Sequence, residues 1–344
     1  MTDIAQTDTA RTAAQMAGSG KGILAAEASG PGLNRRLETA GVAPTAESRR
    51  AYHEMLVTTP HLSEGLSGII LGDETFRQAL GCGLTFPEAL ASLGLLPGIR
   101  VDAGLKPLAG APGETITEGL DGLRERLAEY AALGARFATW RAVFVTGDGR
   151  PSWRALCANS HALARYAALC HEAGLVPILA PEVQMNGGQT VTQGSAATSA
   201  ALLSLFGELH NFGVAPEGVV LKLRMVVPGT DSGETLVPED VAAHTVRALD
   251  GFVPFRIGGI AFSSGGQGLA AAASNLAAVL RNAGSWPLTF SFGQALAGPA
   301  LAAWRGEPGR VRHGQHALAN GVACHLAALR GAYRRADAQR YALG

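Results

Sequence analysis

Of the chain's 28 basic residues only Lys21, Lys106 and Lys222 are lysines; all the others are arginine. Lys222 falls in VVLKLRMVV (219–227), a short valine-rich apolar run of the kind that forms strands. Burial in such a run disfavours an ammonium relative to the neutral amine. A neutral amine can attack a carbonyl carbon and form an iminium, an electron sink that lets a neighbouring C–C bond break or form. Arginine stays protonated and is a poor nucleophile, so a chain that writes arginine almost everywhere has a chemical reason to keep lysine here. Two blander roles also fit: an ion pair with a nearby carboxylate, or a head group carried to the rim on its aliphatic stem. Spacing alone leaves these open.

The elements that would position this amine are legible as eight apolar runs. They are GILAAE (22–27), LSGIILG (66–72), GIRVDAG (98–104), ATWRAVFVT (138–146), VPILAPEV (176–183), GVVLKLRMV (218–226), IGGIAFSS (257–264) and PLTFSFG (287–293). Between them lie stretches with helical spacing, among them 119–133, 152–172 and 196–210. Strands alternating with helices imply a parallel sheet. Eight such units with no GxGxxG after the first strand predict a single-domain α/β fold, a closed (β/α)8 barrel. In such a barrel chemistry belongs at the C-terminal ends of the strands. Those ends carry Glu27, Asp102, Arg141, Glu182, Lys222, Ser264 and Ser291, a set rich in ionisable and hydrogen-bonding groups.

Bulk properties narrow the class. A hydrophobic content of 47% is ample for a large core. Zero net charge and a pI of 7.1 leave no electrostatic footprint for nucleic acid or an anionic membrane. No apolar run is long enough for a membrane span. The cysteines Cys82, Cys157, Cys170 and Cys324 form no CxxC pair, which argues for reduced thiols and against a structural metal site. These properties predict a soluble cytoplasmic protein with no metal, nucleic-acid or membrane partner; if Lys222 does iminium chemistry, its substrate is a small-molecule carbonyl and no cofactor is needed. Residues 1–19 read as a flexible polar lead-in rather than a signal peptide, and residues 20–344 as the barrel with a C-terminal helix.

Longer segments carry a resemblance. GKGILAAEASGPGLNRRL, ESRRAYHEMLVTTP, LAGAPGETITEGLDGLRERLAEY, LARYAALCHEAGLVPILAPEV, SSGGQ, PLTFSFGQALAGPALAAW and ALANGVAC together resemble class I fructose-1,6-bisphosphate aldolases, in order, from about residue 20 to about residue 326. The resemblance implies a metal-independent Schiff-base barrel enzyme, commonly a homo-oligomer. Such enzymes interconvert the bisphosphate sugar with dihydroxyacetone phosphate and glyceraldehyde 3-phosphate. It also implies that Lys222 is the Schiff-base lysine and that Ser264 and Gly265, assisted by Ser291 and Gly293, hold the ketose C1 phosphate. Arg36, Arg100, Arg141 and Ser29 match further binding positions, and Glu182 matches the second carboxylate of the family's EPE motif. The glycines of SSGG would let backbone N–H groups approach an anion, although an ordinary strand-to-helix turn would look the same.

Departures from that pattern cluster around the nucleophile. The family's aspartate that handles the C4 hydroxyl proton is Glu27, one methylene longer, and the lysine before the WR pair is Thr139. The first glutamate of EPE is Ala180, the arginine near the C1 phosphate is Gln294, and a serine of the distal phosphate site is Gly32. The family's tyrosine-ended C-terminal tail has only RYALG as a weak counterpart. Retention of the amine with coordinated change around it predicts an aldolase with an altered, less phosphorylated substrate set, suited to a dedicated biosynthetic or sugar pathway. Glu27 and Glu182 would share proton transfer, with Thr139 or water assisting. Competing readings are an ordinary fructose-bisphosphate aldolase, a catalytically dead barrel kept for binding, and iminium chemistry other than an aldol reaction.

Overall fold

The computed structural model describes residues 2–28, 30–184 and 186–334. Among the described residues ten strands form in chain order: β1 (Gly22–Ala25), β2 (Leu66–Leu71), β3 (Leu96–Arg100), β4 (Gly104–Pro107), β5 (Thr115–Glu118), β6 (Phe137–Phe144), β7 (Val176–Val183), β8 (Val220–Arg224), β9 (Gly259–Ser263) and β10 (Leu288–Phe292). Eight of them close a barrel in the order β1-β10-β9-β8-β7-β6-β3-β2, and every pairing in it is parallel. All eight runs expected from the sequence are barrel strands. Helices separate most of them, as the parallel crossovers require.

Side-chain alternation divides each strand's residues between two environments. Outward-facing residues such as Leu221 and Leu223 are at most 2% exposed and pack beneath the helical layer. Inward-facing Ile23, Ile70, Phe137, Ile178, Val220 and Ala261 form a separate apolar cluster inside the lower barrel. Gly98 makes room for it: a β-carbon there would lie 2.2 Å from the Phe137 ring, so any side chain would displace the ring.

Two elements were not anticipated. The segment expected to be a flexible lead-in contains a helix, α1 (Thr2–Ala17), that plugs the N-terminal end of the barrel. Its Thr9, Thr12, Ala13 and Met16 are buried and recur at helical spacing. Threonine and alanine at those positions hid an inward face that is small rather than greasy. Ser67 at the start of β2 donates to the Met16 carbonyl at 3.0 Å, and a β-carbon on Gly259 would lie 2.1 Å from Ala17 Cβ, so the plug sits tight against the strand starts. The second is the antiparallel β4–β5 hairpin after β3. Asn159 of helix Trp153–Glu172 donates to the Thr115 carbonyl at 2.8 Å, and the Thr117 hydroxyl donates to the Arg141 carbonyl at 2.6 Å. The hairpin thereby fixes the backbone that carries Arg141.

Candidate active site

Following the inward parity upward from the apolar cluster leads to the site. On β8 the inward residues are Val220, Lys222 and Arg224; on β6 they are Phe137, Thr139 and Arg141; on β7, Ile178, Ala180 and Glu182. The first of each triplet belongs to the barrel-interior cluster, and the upper two line one cleft of about 290 Å³ at the C-terminal mouth. Each strand thus runs from apolar to small or nucleophilic to charged as it leaves the core.

Lys222 is 6% exposed, and its Nζ lies 3.3 Å from Glu27 Oε1. The other carboxylate oxygen, Glu27 Oε2, is buried with no hydrogen-bond partner among the described residues. Glu27 hangs on a firm support. His53, buried in helix Ala46–Val57, approaches the Ala26 carbonyl with Nε2 at 3.1 Å and Thr75 Oγ1 with Nδ1 at 3.1 Å. Nδ1 also lies 2.9 Å from the Arg49 carbonyl, and burial holds the His53 pKa below its ordinary value, so the single proton of the neutral ring is donated to one of these two carbonyls.

On the opposite wall one oxygen serves two cations. Glu182 Oε2 lies 3.1 Å from Arg141 Nε and 3.1 Å from Arg224 Nη2. Arg100 is engaged separately: its Nε and Nη2 donate to Asp102 at 3.0 and 2.6 Å, and that bidentate bond raises the Arg100 pKa against the opposing effect of burial. Arg36 also lines the cleft and forms no ion pair among the described residues. The anion-accepting side is built after β9 and β10. There Gly265 and Gly266, next to Ser264, take left-handed φ values of 61° and 90°, a kind of backbone turn in which successive N–H groups can converge on an anion. Ser263 Oγ and Ser291 Oγ are both buried and unpartnered among the described residues.

The cleft brings together Lys222, Glu27, Glu182, Thr139, Ser264, Gly265, Ser291, Gly293, Arg36, Arg100 and Arg141. Ser29 lies outside the described residues, as does RYALG. Thr139, at 4% exposed, and Ala180, at 1%, stand beside these groups without adding charge. Sequence reasoning missed Arg224 and Ser263. The signal was available, because Arg224 shares its parity with Lys222 and Ser263 is its register partner on β9.

A family description of class-I fructose-bisphosphate aldolase matches residues 8–343 of this chain. The chain belongs to the class-I fructose-bisphosphate aldolases. With that it is an aldehyde-lyase. It is 49% identical over 296 residues, 86% of its length and 89% of the relative's, to a probable fructose-bisphosphate aldolase class 1 of Xylella fastidiosa. It is 43% identical to the cytosolic fructose-bisphosphate aldolase 6 of Arabidopsis thaliana, covering 94% of this chain and 90% of that one. Among solved structures, the Plasmodium falciparum fructose-bisphosphate aldolase, crystallised with TRAP and an inhibitor, superimposes with a TM-score of 0.94 at 35% identity, covering 96% of both chains. No described helix of this aldolase is long and apolar enough to cross a membrane.

Proposed function

We propose that this aldolase works through an imine between Lys222 and a small phosphorylated ketone such as dihydroxyacetone phosphate, and that its aldehyde partner differs from glyceraldehyde 3-phosphate. The observation that carries the first half is the desolvated Lys222 amine 3.3 Å from a carboxylate at the barrel mouth. The amine attacks the ketone carbon, the carbinolamine loses water, and the iminium results. A base then removes a proton from the adjoining carbon, leaving an enamine that attacks the aldehyde carbon; water finally releases the product and restores the amine. Glu27 is the base in this scheme; the support is one oxygen 3.3 Å from Lys222 Nζ and the other without a partner among the described residues. Glu182 is a poorer candidate than expected from the sequence, because its Oε2 is held by two guanidiniums. Its role in this scheme is to anchor Arg141 and Arg224.

Support for the second half comes from Thr139 and Ala180, which put no charge where the family pattern has a lysine and a glutamate. A homo-oligomer and use in a specialised biosynthetic pathway belong to the same proposal. The competing reading, an ordinary fructose-bisphosphate aldolase, is favoured by the names of the relatives. Incubation with dihydroxyacetone phosphate, borohydride reduction and peptide mass analysis should place an adduct on Lys222 and none on Lys222→Met. An adduct elsewhere, or none with any carbonyl, refutes the imine. Cleavage of fructose 1,6-bisphosphate at the rate of an ordinary aldolase refutes the altered partner.

A further inference from the structure

We propose that Arg224 is a specificity-determining residue of this cleft, placing a guanidinium beside the Ser264–Gly265–Gly266 loop to hold the phosphate of the ketone bound at Lys222. The proposal deepens the function argued above and rests on Lys222 being the imine-forming amine.

Four observations converge on it. Arg224 stands one inward position above Lys222 on β8, and both line the cleft at the mouth. Its register partner on β9 is Ser263, the residue before the loop. Its stem runs along that loop: a β-carbon placed on Gly265 would meet Arg224 Cδ at 3.6 Å and Cγ at 3.7 Å. Finally, its hydrogen bonding is unfinished. Among the described residues the guanidinium donates only to Glu182, while its buried Nε and the buried Ser263 Oγ have no partner.

Charge explains why the group remains available. Glu182 is shared by Arg141 and Arg224, so one negative charge faces two positive ones and a surplus positive charge persists at this wall. On the β10 side the corresponding residue is the neutral Gln294, which also lines the cleft. The left-handed backbone at Gly265 and Gly266 is of a kind in which N–H groups can converge on an anion, and a guanidinium on the next strand supplies the countercharge that amides lack. Glu182 then acts as a tether, holding the fork in place before the ligand arrives.

The test compares dihydroxyacetone phosphate with dihydroxyacetone by borohydride trapping on wild type, Arg224→Ala and Arg224→Lys. For Arg224→Ala the concentration of the phosphorylated ketone giving half-maximal trapping should rise about 10- to 100-fold, the usual scale for a charge-assisted hydrogen bond. The shift for dihydroxyacetone, which has no phosphate to lose, should be much smaller. Arg224→Lys should recover part of the loss by restoring charge without the planar fork. Equal shifts for both ketones, or no shift for either, overturn the proposal. If Arg224→Ala is unstable, Arg224→Gln keeps an amide donor for Glu182 and permits the same comparison. Inorganic phosphate, titrated against tryptophan fluorescence and by calorimetry, provides a readout that needs no imine: it should bind wild type more tightly than Arg224→Ala, and equal affinities overturn the proposal. Failure of wild type to form any imine would refute the role of Lys222, and the phosphate titration would still decide the role of Arg224.

Discussion

Replacing Glu27 by Gln separates the two tasks its carboxylate can have, positioning the amine and accepting a proton. The two heavy atoms are 3.3 Å apart, so their gross attraction is about 5 kcal/mol at an effective dielectric of about 20. Desolvation offsets most of that, because the lysine side chain is 8% and the glutamate 18% exposed. The variant should therefore fold, with a cost of roughly 1–2 kcal/mol in urea unfolding, between the values for exposed and fully buried pairs. An amide keeps the shape and a hydrogen-bond partner near Nζ, so borohydride trapping of dihydroxyacetone phosphate should stay within about tenfold of wild type. Turnover should fall by about 10²–10⁴, the usual cost of removing a general base. Glu27→Asp, which withdraws the carboxylate by about 1.5 Å, one C–C bond, should lie between the two. If Glu27→Gln loses trapping and turnover in equal measure, Glu27 only positions the amine. If turnover is undiminished, the base is another group and the proton-transfer assignment is wrong.

Two further outcomes test the scaffold. His325 is fully buried, with Nδ1 2.8 Å from the Gly321 carbonyl and its ring edge-on to Phe292, and burial lowers its pKa from an ordinary 6.5 to about 4. The unfolded chain takes up a proton below pH 6.5 that the folded chain refuses, so this contribution is complete above pH 6.5 and is lost as pH falls toward about 4. Its size is on the order of 3 kcal/mol, and buried His53 acts in the same direction. Melting temperatures between pH 7.5 and 4.5 should show this slope, and His325→Gln should flatten it; an unchanged slope refutes the assignment. Met16→Ala, at a 0% exposed position in the barrel plug, should cost about 2–4 kcal/mol in urea unfolding, and a loss below about 0.5 kcal/mol would mean α1 is not part of the cooperative core.

The barrel was legible because its signals are local. Each strand is a short apolar run, and alternation with helical spacing specifies a parallel sheet without any long-range information. The plug was not legible, since burial of Thr12 and Ala13 depends on a barrel floor that exists only after folding. The site divides the same way. Strand-end position found Glu27, Glu182 and Lys222, but it could not foresee that Glu182 would be held by two arginines, because that geometry joins three strands. His53 and His325 look like the other helical histidines in the sequence, and only packing makes them neutral and buried.

Charge placement links the cleft's departures to its substrate. The mouth contains the cations Arg36, Arg100, Arg141, Lys222 and Arg224 and the carboxylates Glu27, Asp102 and Glu182, a surplus of two positive charges. A phosphate monoester brings about two negative charges near neutral pH, whereas a bisphosphate brings about four. One phosphorylated end matches the surplus of the whole cleft, and a second would draw on the rim, where Arg35 and Arg305 line the adjoining hollow. The surplus is also uneven. Arg100 is matched by Asp102 and Lys222 by Glu27, so the unmatched charge lies with the Arg141–Glu182–Arg224 group and with Arg36. A ketone with its carbonyl at Lys222 and its phosphate at the β9 loop uses the first of these. Arg36 then remains in the cleft for the aldehyde end, next to Arg35 and Arg305 of the adjoining hollow, and cleavage of fructose 1,6-bisphosphate decides between the proposed partner and glyceraldehyde 3-phosphate.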